Sequence, residues 1–230
     1  MDFKAIYKFI LSQSSDRDNP KVLLKELLQL SNFIYKQLSS VAVRYGNGTH
    51  PKHRVTKYHD FFVDNTEENE SVLDLGSGRG DVTYDVAKKT KGKVVGMDLN
   101  DNNLNYACST YHADNLKFVK GNICKDVPDN HFDVVILSNV LEHLKNRVDL
   151  LKIIINKTTP TKVLLRIPYF EREWMVPVKK ELGVEYFLDP THEIEYRQEE
   201  FYDEMKQSGL RVDVMKVNWG EIWAVCKMLE

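Results

Sequence analysis

The sequence predicts an α/β protein: helices at the N-terminus, then a mostly parallel sheet alternating with helices and closing on an antiparallel hairpin. Three observations lead there. Before residue 50 the apolar residues recur at three- and four-residue steps, as on one face of a helix. From Val72 to Ile167 short apolar runs alternate with amphipathic stretches, the pattern of repeated βαβ units. The last two runs, Leu210 to Val217 and Ile222 to Lys227, are joined by a short turn and so pair antiparallel.

In order along the chain, a short helix is expected around Phe3 to Leu11, followed by the polar run Ser12 to Pro20. A long helix then carries Leu23, Leu24, Leu27, Leu28, Ile34, Leu38, Val41, Ala42 and Tyr45 on one stripe, stops at Gly46-Asn47-Gly48, and is expected to pack on the main domain. Another helix covers His53 to Val63. Strands follow at Val72 to Leu75, Val94 to Asp98, Leu116 to Val119, Val134 to Leu137 and Lys162 to Ile167, with helices at Val82 to Lys89, Leu104 to Tyr111 and Val148 to Asn156. Pro168 to Pro190 has no strong period and reads as a substrate loop or lid. Helix Gln198 to Ser208, capped by Gly209, leads to the hairpin. The expected organisation is a helical appendage over residues 1–50 and one α/β domain over 51–230.

Composition excludes several classes. The 230 residues hold one generous domain or a domain with an appendage. A hydrophobic content of 42% supports a substantial core, and a net charge of −2 supplies no overall basic field for a long nucleic acid. Cys108, Cys124 and Cys226 lie far apart with no CxxC pair, which fits a reducing compartment. No apolar run approaches the roughly 20 residues of a membrane helix, and Asp2 rather than a basic signal region follows Met1. A cytoplasmic protein without membrane insertion is expected.

The sharpest motif is Val72-Leu73-Asp74-Leu75-Gly76-Ser77-Gly78-Arg79-Gly80-Asp81. A strand runs into a glycine loop that opens a helix, so main-chain N–H groups face a ligand without side chains in the way. The spacing is GxGxG rather than the dinucleotide GxGxxG, and Asp74 would repel a nearby pyrophosphate; a ligand carrying both an ammonium and a carboxylate suits the loop better. Asp98 ends the second strand 98 − 76 = 22 residues after the first loop glycine, where a carboxylate can accept both hydroxyls of a ribose.

These residues resemble the class I S-adenosylmethionine-dependent methyltransferases. VLDLGSGRG at 72–80, GMDLN at 96–100, VKGNI at 119–123 and FDVVILSNVLEHL at 132–144 carry the likeness. It implies a Rossmann-like fold with a seven-stranded, mostly parallel sheet, S-adenosylmethionine as cofactor and S-adenosylhomocysteine as product. It also implies that Asp74, Gly76, Ser77, Gly78 and Gly80 hold the methionine end, that Asp98 with Leu99 holds the ribose, that Asn122 and Ile123 meet the adenine edge, and that Ser138 and Asn139 lie under the sulfonium. A plain turn at Asn122 and a dinucleotide-binding oxidoreductase are the alternatives.

The candidates for the reaction centre are Glu142, His143 and His192. Glu142 and His143 follow the fourth strand at the carboxyl end of the sheet, where ligands bind in open α/β folds. An adjacent Glu and His suit an acid/base pair, two ligands of a divalent metal, or groups that only bond the loop. Asn139-Val140-Leu141-Glu142-His143 is similar to the ExxEH metal motif of ubiquinone-pathway O-methyltransferases and small-RNA terminal 2′-O-methyltransferases. HEIEYRQEEF at 192–201 resembles a stretch of the RNA family whose first histidine is also a ligand. Asn139 stands where those families have a glutamate, which removes a negative ligand; no metal site is assigned. His50, Lys52, His53, Arg54, Lys57 and His59 form a basic lead-in, similar to methyltransferases of surface-polysaccharide pathways, that could hold an anionic group or be a solvated helix face. Arg166, Tyr169, Arg172 and Trp174 could line a polar sugar site, or be a surface loop.

The expected activity is O-methylation of a saccharide or similar small hydroxylated metabolite. The alternatives are ribose 2′-O-methylation at an RNA end and a non-catalytic cofactor-binding scaffold.

Overall fold

A computed structural model describes residues 8, 9, 12 and 19–229, so most of the helix expected at Phe3 to Leu11 lies outside the described residues. The chain divides into two compact units, Met1–Val55 with Glu171–Phe187, and Thr56–Phe170 with Leu188–Glu230.

In the first unit, helix α1 (Pro20–Tyr45) starts on the Asn19 side chain, which accepts from the Lys21 N–H, with Pro20 in the first turn where its missing N–H costs nothing. It ends where the Gly46 N–H bonds the Ala42 carbonyl. The apolar stripe is only partly used. Leu28 is buried, whereas Ile34, Leu38, Val41 and Tyr45 are exposed. The Asn32 side chain bonds the Glu185 carbonyl at 2.6 Å. A short helix (Met175–Glu181) interrupts the segment expected to be an unpatterned loop; at seven residues it is too short to register a clear period.

The expected helix His53 to Val63 is two helices, α2 (Lys52–Thr56) and α3 (Tyr58–Asp64). Lys57 between them has φ of 52°, a left-handed conformation that no α-helix continues through. The periodicity did not register this break because both halves keep polar residues at the joint.

The second unit is a seven-stranded sheet in the order β3-β2-β1-β4-β5-β7-β6. The strands are β1 (Val72–Leu75), β2 (Val94–Asp98), β3 (Leu116–Lys120), β4 (Val134–Ser138), β5 (Lys162–Pro168), β6 (Leu210–Asn218) and β7 (Glu221–Met228). The first five are parallel, and β7 runs antiparallel to both β5 and β6. The Rossmann-like, mostly parallel sheet with its C-terminal hairpin is therefore as the sequence predicts. β1 and β4 are neighbours, and the chain winds outward from them in opposite directions, so the switch point lies at their carboxyl ends.

Both faces of the central strands are covered, which is why they read as continuous apolar runs rather than alternating ones. One layer joins Leu73, Leu75, Val135, Leu137, Val163 and Leu165 to Leu151, Ile154, Phe201 and Met205. The other joins Val72, Val94, Val134, Ile136 and Leu164 to Tyr58, Phe62, Val82 and Val86. Two glycines let the layers close. A Cβ at Gly80 would stand 2.6 Å from the Phe118 ring, and one at Gly96 would stand 2.7 Å from the same ring.

Ile136 is fully buried in the middle of β4. Ile136→Ala is expected to lower the unfolding free energy by about 2–5 kcal/mol, read from urea denaturation; a loss under 1 kcal/mol would show that this layer is not close-packed.

Candidate functional site

The carboxyl ends of β1, β2 and β4 bring most of the sequence-selected residues to one edge. Gly76, Gly78 and Gly80 have φ of 76°, 55° and 84°, conformations that L side chains rarely adopt. A Cβ at Gly76 would collide with the Val140 side chain at 2.6 Å, whereas one at Gly78 would meet nothing within 4 Å. Gly76 thus serves close packing, and Gly78 borders open space. The N–H groups of Gly76 and Ser77 bond the Met97 carbonyl, tying the loop to β2. The buried Ser77 Oγ has no partner among the described residues.

Asp98 ends β2 and accepts the Gly78 N–H on Oδ2 at 2.8 Å and the Asn100 N–H on Oδ1 at 2.8 Å. The Asn103 Nδ2 also donates to Oδ1, at 3.3 Å, so the second lone-pair site left for a ligand is on Oδ2. Leu99, next to it, is 61% exposed. Asp74 lies on the face toward α3 and accepts the Thr83 hydroxyl at 2.6 Å. Burial, with a further contribution from Asp98, pushes its carboxyl up to about 6. A cation arriving at that edge would lower it again. Two acidic groups beside an open glycine cradle and an orphaned hydroxyl fit a ligand with an ammonium, a sulfonium and a ribose.

Asn122 is in a turn after β3. Its Oδ1 accepts the Cys124 N–H and its own N–H donates to Asp126, so the side chain serves the local turn. Ile123 beside it packs on the core. Asn139 follows β4 with φ of 56°, and its buried Oδ1 has no partner among the described residues. Ser138 ends β4, and its Oγ accepts from Arg166 Nη1 at 3.3 Å.

A single-turn 3₁₀ helix, Leu141–His143, turns Glu142 inward. Its carbonyl accepts the Glu193 N–H at 2.7 Å, which brings the 189–195 segment alongside. Glu142, His143 and His192 can each offer one ligand atom with all three within 4.8 Å of one another. The two imidazoles stand edge to face at 4.7 Å. Glu142 is fully buried, and neither of its oxygens has a hydrogen-bond partner among the described residues. Burial pushes its carboxyl up to about 7. Such a group needs a proton, a cation or a substrate donor.

The tautomer of His143 follows from its neighbours. Thr191 donates its hydroxyl hydrogen to Asp189 at 2.6 Å, so its Oγ1 can only accept from His143 Nδ1, at 2.8 Å. In the neutral ring the lone pair is then on Nε2. Desolvation and the nearby His192 lower the His143 pKa, which keeps the neutral form populated. His192 Nδ1 lies 3.2 Å from Glu195 Oε1, and Glu195 also accepts the Leu188 N–H.

Sequence reasoning missed Glu221, Tyr58, Thr191 and Asp189 as partners. Arg166 is buried and forms two 2.6 Å bonds to Glu221, with its guanidinium carbon 3.7 Å from the Tyr58 ring centroid. A charged residue opening an otherwise apolar terminal strand was the available signal for Glu221. Arg172 and Trp174 belong to the first unit, where Arg172 bonds the Tyr186 carbonyl. His59, in the second unit, contacts Asp85 at 2.6 Å, a pairing that leaves the lead-in less uniformly cationic than its sequence suggests.

A family profile described as a methyltransferase domain matches residues 66–210. The chain belongs to the methyltransferase-domain family. Its sheet order and glycine loop are those of the class I S-adenosylmethionine-dependent methyltransferase fold. Among curated relatives, a ubiquinone/menaquinone biosynthesis C-methyltransferase, UbiE, of Shewanella sp. (strain W3-18-1) is 30% identical over 102 residues. That match spans 41% of this chain and 41% of the relative. An S-adenosylmethionine-dependent methyltransferase of Aquifex aeolicus has the same fold, with TM-score 0.62, 18% identity, and 86% and 98% of the two chains covered. A chain of the Haloferax volcanii complex between the Trm112 methyltransferase activator and a methyltransferase gives TM-score 0.65 at 16% identity, covering 85% and 97%. Among the described residues no helix of the methyltransferase is long and apolar enough to cross a membrane.

Two outcomes are expected. Asp98→Ala should weaken S-adenosylhomocysteine binding by roughly 1.5–3 kcal/mol, the usual loss of a charge-assisted bond, and calorimetry showing affinity within twofold would remove Asp98 from the site. Between the ordinary carboxylate range and pH 7, folded Glu142 holds a proton that the unfolded chain has released, so the cofactor-free protein loses stability as pH rises through that window. Glu142→Gln should therefore stabilise it by on the order of 2–4 kcal/mol at pH 8 and by little at pH 4, measured by urea unfolding after chelator treatment.

Proposed function

We propose that this methyltransferase methylates a hydroxyl of a saccharide or similar small hydroxylated metabolite, and that the cluster after β4 takes the hydroxyl proton. The cofactor supplies an electrophilic methyl group on a positively charged sulfur. The protein's task is to align the acceptor oxygen in line with that methyl and to receive its proton. His143 Nε2 would receive the hydroxyl proton as the acceptor oxygen takes the methyl group that the sulfur gives up, with S-adenosylhomocysteine as the product.

The observation that carries this reading is the Asp189–Thr191–His143 chain. It fixes the imidazole with its lone pair on Nε2, while the Glu142 carboxyl, within 4.8 Å, can balance the imidazolium that forms. Asp74, Gly76, Ser77, Gly78, Gly80, Asp98, Leu99, Asn122, Ile123, Ser138 and Asn139 are proposed for the cofactor. The saccharide class rests on the polar surroundings of the cluster and on the lead-in's resemblance.

The same cluster favours a second reading. A buried carboxylate without a hydrogen bond beside two imidazoles is a fitting donor set for a borderline divalent cation, with positions left for acceptor oxygens. Glu142, His143 and His192 would then hold the ion, and Asn139, where the resembling families carry a glutamate, would contribute no charge.

Labelled S-adenosylmethionine offered with glycoside, nucleotide-sugar, short-RNA and phenol pools tests the acceptor. Label in the glycosides supports the proposal, whereas label confined to RNA or to a ring carbon of the phenols overturns it, and none in any pool favours the scaffold. His143→Ala should lower kcat by about 10²–10⁴-fold, and wild-type activity should fall along an acid limb below pH 6.5. Activity lost to a chelator and restored by manganese or zinc would replace the direct-base reading with the metal reading.

A further inference from the structure

The hairpin joining β6 to β7 turns through Trp219 and Gly220, with Asn218 paired to Glu221. Both turn residues have positive φ, 54° and 79°. Such a turn matches the twist of the flanking strands, and Asn-Gly is its most comfortable sequence. A bulky aromatic in the first position is a backbone outlier. The indole gains nothing visible in return, because Trp219 is 67% exposed. Strained backbone positions of this kind cluster at sites that contact ligands.

The position of the turn sets its reach. The Gly220 carbonyl accepts the Tyr169 N–H at 3.0 Å, immediately beyond the carboxyl end of β5. Glu221, the next residue, is locked by the buried Arg166, which also reaches Ser138. The tip is thus a rigid projection at the edge where β4 and β5 end. From strand spacing and rise it stands roughly 12–16 Å from Ser138. That is too far to touch a methylated hydroxyl and within reach of a ring further along the same molecule.

Resting on the saccharide reading above, we infer that Trp219 is an acceptor-specificity residue: a platform on which a second sugar ring, remote from the methylated one, lays its apolar C–H face. An exposed indole on a fixed turn offers a large flat surface with few rotatable bonds to order. The acceptor it selects is an oligosaccharide or extended glycoside rather than a free monosaccharide.

The test compares wild type, Trp219→Ala and Trp219→Asn with labelled S-adenosylmethionine on matched methyl glycosides of a monosaccharide and a disaccharide. The ratio of disaccharide to monosaccharide KM should rise tenfold or more in both variants. Trp219→Asn should keep cofactor affinity and melt no lower than wild type, since asparagine relieves the turn. A ratio unchanged within twofold, or a fall in melting temperature together with lost cofactor binding in both variants, overturns the platform. Wild type that methylates no glycoside overturns the saccharide reading and the platform together, whereas active wild type with unmoved ratios overturns the platform alone.

Discussion

Covering both faces of the central parallel strands is the constraint on which this structure depends. β1, β4 and β5 are sealed between two apolar layers, so a polar group on them has nowhere to stand except at the ends. Asp98 and Ser138 end their strands, Asp74 lies one residue short of its end and Arg166 two. The parallel register places these ends side by side, with Asp74 opposite Gly96 and Ser138 opposite Arg166. Chemistry concentrates at one edge because hydrophobic burial forbids it elsewhere.

That edge carries three different solutions to buried charge. Arg166 and Glu221 neutralise each other with two short bonds, which makes them a brace between β5 and β7. Asp74 is softened by one hydroxyl and a raised proton affinity. Glu142 has neither a bond nor a counter-charge in contact, only two imidazoles nearby. A group left in that condition makes the folded protein less stable and the site more ready to receive a positive or proton-bearing partner.

The parallel strands were legible because they are short runs rich in apolar residues, four of them ending in or running straight into Gly, Asp or Ser and the fifth closing on Pro168, and the hairpin because its strands are nearly contiguous. The glycine loop and the strand-end acids were legible for the same reason: their chemistry is local in sequence. What sequence could not supply were pairings across distance. Arg166 with Glu221, and His143 with Thr191, are 55 and 48 residues apart, and nothing in either neighbourhood names the other. The break at Lys57 was missed because a left-handed lysine leaves no compositional mark. In the long N-terminal helix, spacing announces an amphipathic element but not how much of its apolar face is covered.

Phe118 shows how tightly the cradle is coupled to a side chain outside it. Its ring occupies the space left empty by two glycines, one opening the helix after the loop and one inside β2. These three positions form a single steric unit, so drift at any one is confined by the other two. A relative bearing alanine at the β2 glycine needs a smaller residue in the third strand, and the ancestry of the fold should record that exchange as correlated change, whereas the positive φ at Gly80 keeps that position glycine whatever the ring.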